Sequence, residues 1–392
     1  MTLSDRLHLT NGRPAGFDYM RVILAFMIVV WHTAIVSYGI EAQRSLILGP
    51  TRPMWALLLP MFFALSGFLV SGSLERSRTI VGFLGLRVIR LFPALAVESL
   101  IAMMVIGPLF TKHALIQYFS DADLWAYMLN MFGIVHYYLP GVFLDNPTPQ
   151  VNAQLWTLPW ELYCYIVISL FYILSLYRSK LLFVAGCAAM QILVIILIYT
   201  RTQVDEGTVR GPVLVLAFLY GSLLYRFRDQ IVWSLYLFAA CFVIGSFLLY
   251  FPVINALAAL PIAYATIYLG LLNPTRSSVV SSGDYSYGIF LYGFPIQQAV
   301  SATLPGFRYW WLNLIISAPL VFLTAYVSWN FVEKKALLLR SYLRDFELRY
   351  ALFYDGVVAI YDQAIAAGLK SRWVPKRLQS AIRTQSNNDP GL

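Results

Sequence analysis

The sequence has 392 residues, of which 28 are Lys or Arg and 19 are Asp or Glu, and 59% are hydrophobic. A charged fraction of 12% is about half that of an ordinary soluble domain, and with a mean hydropathy of +0.69 it places the chain in a membrane. Excluded are a secreted disulfide scaffold, a disordered chain and, despite the net charge of +9, an ordinary nucleic-acid binder. Cys164, Cys187 and Cys241 are odd in number and lie in apolar runs without ligand spacing. They read as small buried hydrophobes, and no metal site is expected.

Ten apolar segments reach or approach the ~20 residues that cross hydrocarbon: 17–38, 53–71, 91–111, 155–176, 181–200, 211–225, 231–251, 253–272, 285–304 and 310–332. The sixth is short, and the seventh and eighth meet at a tight turn on Pro252. The first opens with Arg21 and has no small-residue cleavage site after it, so it is an anchor rather than a signal peptide. Basic residues set the orientation. Ahead of the tail, 12 fall on the expected cytoplasmic side, Arg76, Arg87 and Arg90 among them, and 6 fall outside. The tail adds 10 more to the inside. Leu124–Leu139 has 16 apolar-rich residues. A crossing there would invert everything after it and put the basic tail outside, so an interfacial or re-entrant segment in the outer loop 112–154 is expected.

The fold class is therefore an all-α integral membrane protein with about ten transmembrane helices and cytoplasmic N- and C-termini. Residues 1–16 form a cytoplasmic segment, 17–333 the membrane domain and 334–392 a basic tail. In the tail, Lys335–Tyr354 and Asp355–Leu369 have the pattern of amphipathic helices on anionic lipid, and Gln385–Leu392 is polar. No internal repeat supports an inverted-repeat transporter.

Ionisable groups inside spans are costly and mark function. Apart from the edge residues Asp18, Asp284 and Glu333, these are Arg21, His32, Glu98 and Glu161. Arg21 and His32 are 11 residues apart, about three helical turns, so both lie on one face roughly 16 Å apart along the axis. Glu161 enters from the outer side to a depth comparable with His32, where its carboxylate is placed to orient the imidazole. Glu98 either pairs with an arginine of the preceding basic stretch or has a role of its own.

Six stretches in chain order resemble a known family. Phe17-Asp18-Tyr19-Met20-Arg21 followed by His32 is similar to the first-helix signature of the membrane acyltransferase-3 family, and Phe62-Phe63-Ala64-Leu65-Ser66-Gly67-Phe68 to its second-helix motif. Arg87-Val88-Ile89-Arg90-Leu91-Phe92-Pro93 resembles its Arg-x-x-Arg-x-x-Pro stretch, and Trp156 to Tyr165 its Trp-Thr-Leu-x-x-Glu-x-x-x-Tyr segment. Ser286 to Leu291 and Ser328 to Glu333 follow in order, so the resemblance covers 17–333. One departure is Gly293, where many members carry histidine. As His32 remains, position 293 is expected to shape the acceptor or the packing rather than act as the base.

The resemblance implies transfer of an acyl group, commonly acetyl from acetyl-CoA, to a hydroxyl of a carbohydrate or lipid-linked sugar at the bacterial cytoplasmic (inner) membrane. The residues read on their own fit this. His32 is suited to deprotonate a hydroxyl, with Glu161 orienting it. Arg21, Arg87 and Arg90 are suited to the donor's phosphates, although Arg87 and Arg90 equally serve to set topology. Ser66 reads as part of a small-residue packing seam. Trp156, Trp160, Tyr163, Tyr137 and Tyr138 either stack on sugar rings or form an interfacial belt. The alternative is a proton-coupled transporter or flippase for a glycan or lipid, with Arg21, His32 and Glu161 as a relay. An arginine cluster aligned with one deep histidine is explained by a CoA-thioester path and is not required by a relay.

Overall fold

A computed structural model describes residues 1–77, 79–177, 179–200 and 209–347. Among them the chain is helical, with two isolated antiparallel bridges, Thr2 to Val232 and Thr111 to Val142. The main helices are α1 (Leu3–His8), α2 (Ala15–Tyr38), α3 (Leu58–Arg76), α4 (Ile80–Ile101), α5 (Leu158–Ile173), α6 (Lys180–Thr200), α7 (Gly211–Arg226), α8 (Leu235–Tyr250), α9 (Ala259–Gly270), α10 (Ser286–Thr303) and α11 (Trp310–Ser328).

Among the described residues, six helical stretches are long and apolar enough to cross a membrane: Ala15–Tyr38, Arg52–Arg76, Ile80–Phe110, Ala153–Ile173, Lys180–Ile198 and Trp310–Glu347. Gly211–Arg226, Leu235–Tyr250 and Asn255–Gly270 are shorter apolar helices. The protein is thus a multi-pass membrane protein, and each of the ten expected segments falls on a helix. Leu124–Leu139 is no continuous helix: a short turn of α-helix and one of 3-10 helix end at Gly133, whose φ of 82° stops the winding.

One boundary needs correction. The third segment, expected from 91, starts at Ile80, where the Thr79 hydroxyl caps the helix by accepting from Gly82 N. Arg87 and Arg90, expected in a loop, therefore lie on α4 and point from a helix into the protein. The helix passes Pro93 and continues through a π turn at Ala102–Ile106.

The closest helix crossing is between α3 and α7. A Cβ on Gly67 would sit 1.9 Å from the Phe218 carbonyl oxygen, and one on Gly221 2.0 Å from that of Ala64. Only glycine allows two backbones to approach so closely, and Ser222 Oγ seals the contact by donating to Gly67 O at 3.2 Å.

Contacts divide the chain into Met1–Arg340 and Ser341–Leu392. Within the second unit, 341–347 is helical. The remainder of the two expected tail helices, and the polar end 385–392, lie outside the described residues.

Candidate active site

Arg21 near the start of α2, Arg76 at the end of α3, and Arg87 and Arg90 on the first turns of α4 converge on one cavity of about 860 Å³. Arg13, Arg276 and Arg340 complete its lining, opposed by Asp18 and Asp284. Seven guanidiniums against two carboxylates make a strongly positive basin, and such a concave field attracts polyanions.

Asp284 organises it. Its Oδ2 accepts from Arg21 Nη1 at 2.9 Å and from Arg90 Nη2 at 2.6 Å. Its Oδ1 accepts from the Ser286 hydroxyl at 2.6 Å, at the start of α10. Burial alone would raise the Asp284 carboxyl, yet the Arg90 and Arg21 guanidiniums beside it hold it well below the usual carboxylate range. One carboxylate therefore ties α2, α4 and α10 together at the basin. Arg87 donates through Nη2 to Ser73 Oγ at 2.7 Å, a neutral partner that fixes the side chain while leaving its charge available to the cavity.

Arg21, Leu69, Arg87 and Arg90 also line a second cavity of about 110 Å³ that leads inward past Ser66, Thr157, Glu161 and Tyr165. Ile28, Leu59, Thr157 and Phe290 then form the boundary with a third, of about 40 Å³, which holds His32, Trp31, Trp55, Gln154 and Trp156. Shared walls make the three cavities neighbours in series: basin, passage, chamber. His32 is buried and meets Phe294 edge-on, with ring centroids 5.2 Å apart.

The structure brings Arg21, Arg87, Arg90 and Glu161 together, but not Glu161 and His32 as expected from their depth. Glu161 lines the passage beside the arginines and accepts from the Tyr165 hydroxyl at 2.5 Å. His32 lies in the chamber beyond Thr157. Equal depth fixes position along a helix, not the direction a side chain faces. The facing of α5 is set by packing against α7, where Gly211 makes room for the Trp160 ring at only 1.8 Å from an added Cβ.

Glu98 is buried, bonds the Ser99 hydroxyl at 3.4 Å and forms no ion pair with an arginine among the described residues. Ser66 faces the passage while its neighbour Gly67 forms the packing seam. Of the aromatics, Trp156 lines the chamber, whereas Trp160 and Tyr163 line a separate apolar groove with α6 and α7. A Cβ on Gly293 would lie 2.8 Å from Val29 Cγ2, so this position abuts α2 about one turn before His32. Among the described residues no cluster of His, Cys, Asp and Glu could hold a metal ion.

Asp284 escapes a reading of the sequence. Asp284 is a span-edge residue there, and its one signal is its place two residues ahead of the Ser286-Tyr287 motif.

The described helices make this a multi-pass membrane protein with an arginine-lined basin and a buried histidine further in. The chain belongs to the acyltransferase-3 family, described as an acyltransferase domain, which matches residues 15–332. It is similar to an O-acetyl transferase of Shigella phage Sf6, 25% identical over 349 residues, with 82% of this chain and 95% of that protein covered. It also resembles Nodulation protein 10 of Rhizobium leguminosarum bv. viciae, 27% identical over 371 residues, with 85% of this chain and 96% of that protein covered. No solved structure matches significantly.

Proposed function

We propose that this acyltransferase is an O-acetyltransferase of the bacterial cytoplasmic membrane. It takes the acetyl group of acetyl-CoA at the cytoplasmic face and passes it to a hydroxyl of a cell-surface or lipid-linked glycan on the outer side. The observation that carries this is the series of basin, passage and chamber, running from seven arginines to His32. The name of the phage relative supports acetyl as the group and oxygen as the acceptor.

In this reading Arg21, Arg87 and Arg90 bind the donor's phosphates. A guanidinium has five N–H donors, so bonds to Asp284 or Ser73 do not exhaust them. The thioester arm follows the passage, and the acyl group enters the chamber. His32 takes the proton of the acceptor hydroxyl as its oxygen bonds to the carbonyl carbon. The carbon–sulfur bond then breaks, and the thiolate leaves with the proton from the imidazolium. Glu161 positions Tyr165 and offsets Arg87 in the passage rather than orienting His32.

The test is thiol release from acetyl-CoA by the detergent-purified protein, with and without candidate glycans, for wild type and His32→Ala. Loss of a general base costs about 10²- to 10⁴-fold. A mutant with full transfer removes His32 from the mechanism. If no thioester is consumed while a glycan crosses vesicles, the protein is a transporter.

A further inference from the structure

The passage between basin and chamber is walled largely by apolar side chains, Ile28, Leu59, Phe62, Leu65, Phe218 and Phe290 among them. A polar group threaded past such a wall leaves water behind, and each donor or acceptor that stays unpaired there is costly. The arginines stand at the basin end, since all three that line the passage also line the basin. What the passage offers a ligand further in is set by its other polar groups.

Most of these are already bonded within the protein. The Thr157 hydroxyl donates to Gln154 O at 3.4 Å, that of Ser286 to Asp284 Oδ1 at 2.6 Å, that of Tyr287 to Leu91 O at 2.9 Å and that of Tyr165 to Glu161 Oε1 at 2.5 Å. Ser66 is the exception. A serine or threonine inside a helix commonly donates to a carbonyl of its own preceding turn, as Ser222 does to Phe218 O at 3.1 Å and Thr266 to Ile262 O at 2.7 Å. Among the described residues the Ser66 hydroxyl has no hydrogen-bond partner, and neither has the second carboxylate oxygen of Glu161, Oε2. Neither atom is sealed inside the protein: both side chains are half-buried and line the passage.

Ser66 stands on α3 and Glu161 on α5, so an open donor and an open acceptor lie on different walls. The hydroxyl has one proton to give, and an ionised carboxylate only accepts. A secondary amide is the complementary group: it is planar and trans, with its N–H and C=O pointing to opposite sides. One amide lying along the passage can give its proton to Glu161 and take that of Ser66, leaving no polar atom unpaired. An alkyl chain would leave both side chains unbonded, and an anion would be repelled by the carboxylate.

We propose that Ser66 and Glu161 form an amide-binding subsite that selects a donor by its thiol arm. Ser66 donates to the carbonyl, and Glu161 accepts from the N–H, of the amide nearest the sulfur. The proposal rests on the acyltransferase reading of the same site, in which the amide-bearing arm of acetyl-CoA runs through the passage. No bond is made or broken at this subsite. It fixes the register of the arm, so that the thioester beyond it reaches the chamber that holds His32.

The test uses the full-length protein in detergent and two donors: acetyl-CoA, and an analogue in which an ester replaces the amide nearest the sulfur, keeping the carbonyl and losing the N–H. Thiol release is measured with a saturating acceptor for wild type, Ser66→Ala and Glu161→Gln, together with the melting temperature. Wild type is expected to favour acetyl-CoA in kcat/KM by about 10- to 100-fold, the effect of a hydrogen bond to a charged acceptor. In Glu161→Gln, which keeps the shape and loses the charge, that preference should shrink by about threefold or more. Ser66→Ala should lower kcat/KM about 3- to 10-fold for both donors alike, because both keep the carbonyl. It should melt with wild type, because no hydrogen bond within the protein is lost. If wild type uses the two donors within about twofold, or Glu161→Gln keeps the full preference, or Ser66→Ala keeps full kcat/KM, the subsite is overturned while the acyltransferase reading stands. Absence of thiol release by wild type from any acyl-CoA overturns the acyltransferase reading, and the subsite with it.

Discussion

At the scale of single residues, Asp284 has the widest reach. It bridges Arg21 and Arg90 while its side chain is 22% exposed, between the surface pairs worth about 0–1 kcal/mol and the buried pairs whose breaking costs about 3–5 kcal/mol. Asp284→Asn is expected to destabilise the protein by about 2 kcal/mol at neutral pH, read as a lowered melting temperature in detergent. Its folded pKa is depressed, so the stabilisation is present above the ordinary carboxylate pKa of about 3.9. It is lost as pH falls from there toward the lower native value. The gap between wild type and Asp284→Asn should therefore close on acidification. Acetyl-CoA should also raise the melting temperature of the variant more than that of wild type, because phosphate oxygens can take the carboxylate's place between two guanidiniums.

The same scale shows how far the residues could be read in advance. That Arg21 and His32 share one helix about three turns apart was legible because helical spacing within one segment is geometry. The partner of Glu161 was not, because it depends on which way α5 faces, and packing at Gly211 and Trp160 decides that.

At the scale of elements, the positions of the helices were legible from hydropathy, and the start of α4 was not. The run 80–90 carries Arg87 and Arg90 and looks like a loop by charge, yet the Thr79 cap begins α4 there. That shift turns two topology markers into side chains aimed at the cavity. The crossing of α3 and α7 offers a direct check on packing. Gly67→Ala places a methyl 1.9 Å from a carbonyl oxygen of the backbone, which neither helix can relieve by a rotamer change. Overpacking of this kind costs about 1–3 kcal/mol or more. The expected result is a lowered melting temperature and loss of the monodisperse peak on size exclusion. Ser66→Ala, one residue away but facing the passage, should leave both unchanged.

At the scale of the whole molecule, the basic residues expected to set orientation and those proposed to bind the donor are partly the same, because in the proposed topology the cytoplasmic end holds both. With the tail on that side, protease added to inside-out vesicles should remove the C-terminal basic segment, and protease added to right-side-out vesicles should leave it intact. Cleavage from the outer side would reverse the orientation and place the arginine basin away from cytoplasmic acetyl-CoA.

The single unbroken helix α2 has a consequence of its own. Arg21 and His32 ride on the same rod, so their separation is set by helix rise and is independent of loop length, bilayer thickness or the packing of neighbours. In the proposed mechanism the rod is a gauge: it fixes how far a donor's reactive carbon must lie from its anionic end. One residue inserted between them would turn His32 by about 100° and carry it away from the chamber. In that reading the reach of the donor is locked to a count of residues within one helix.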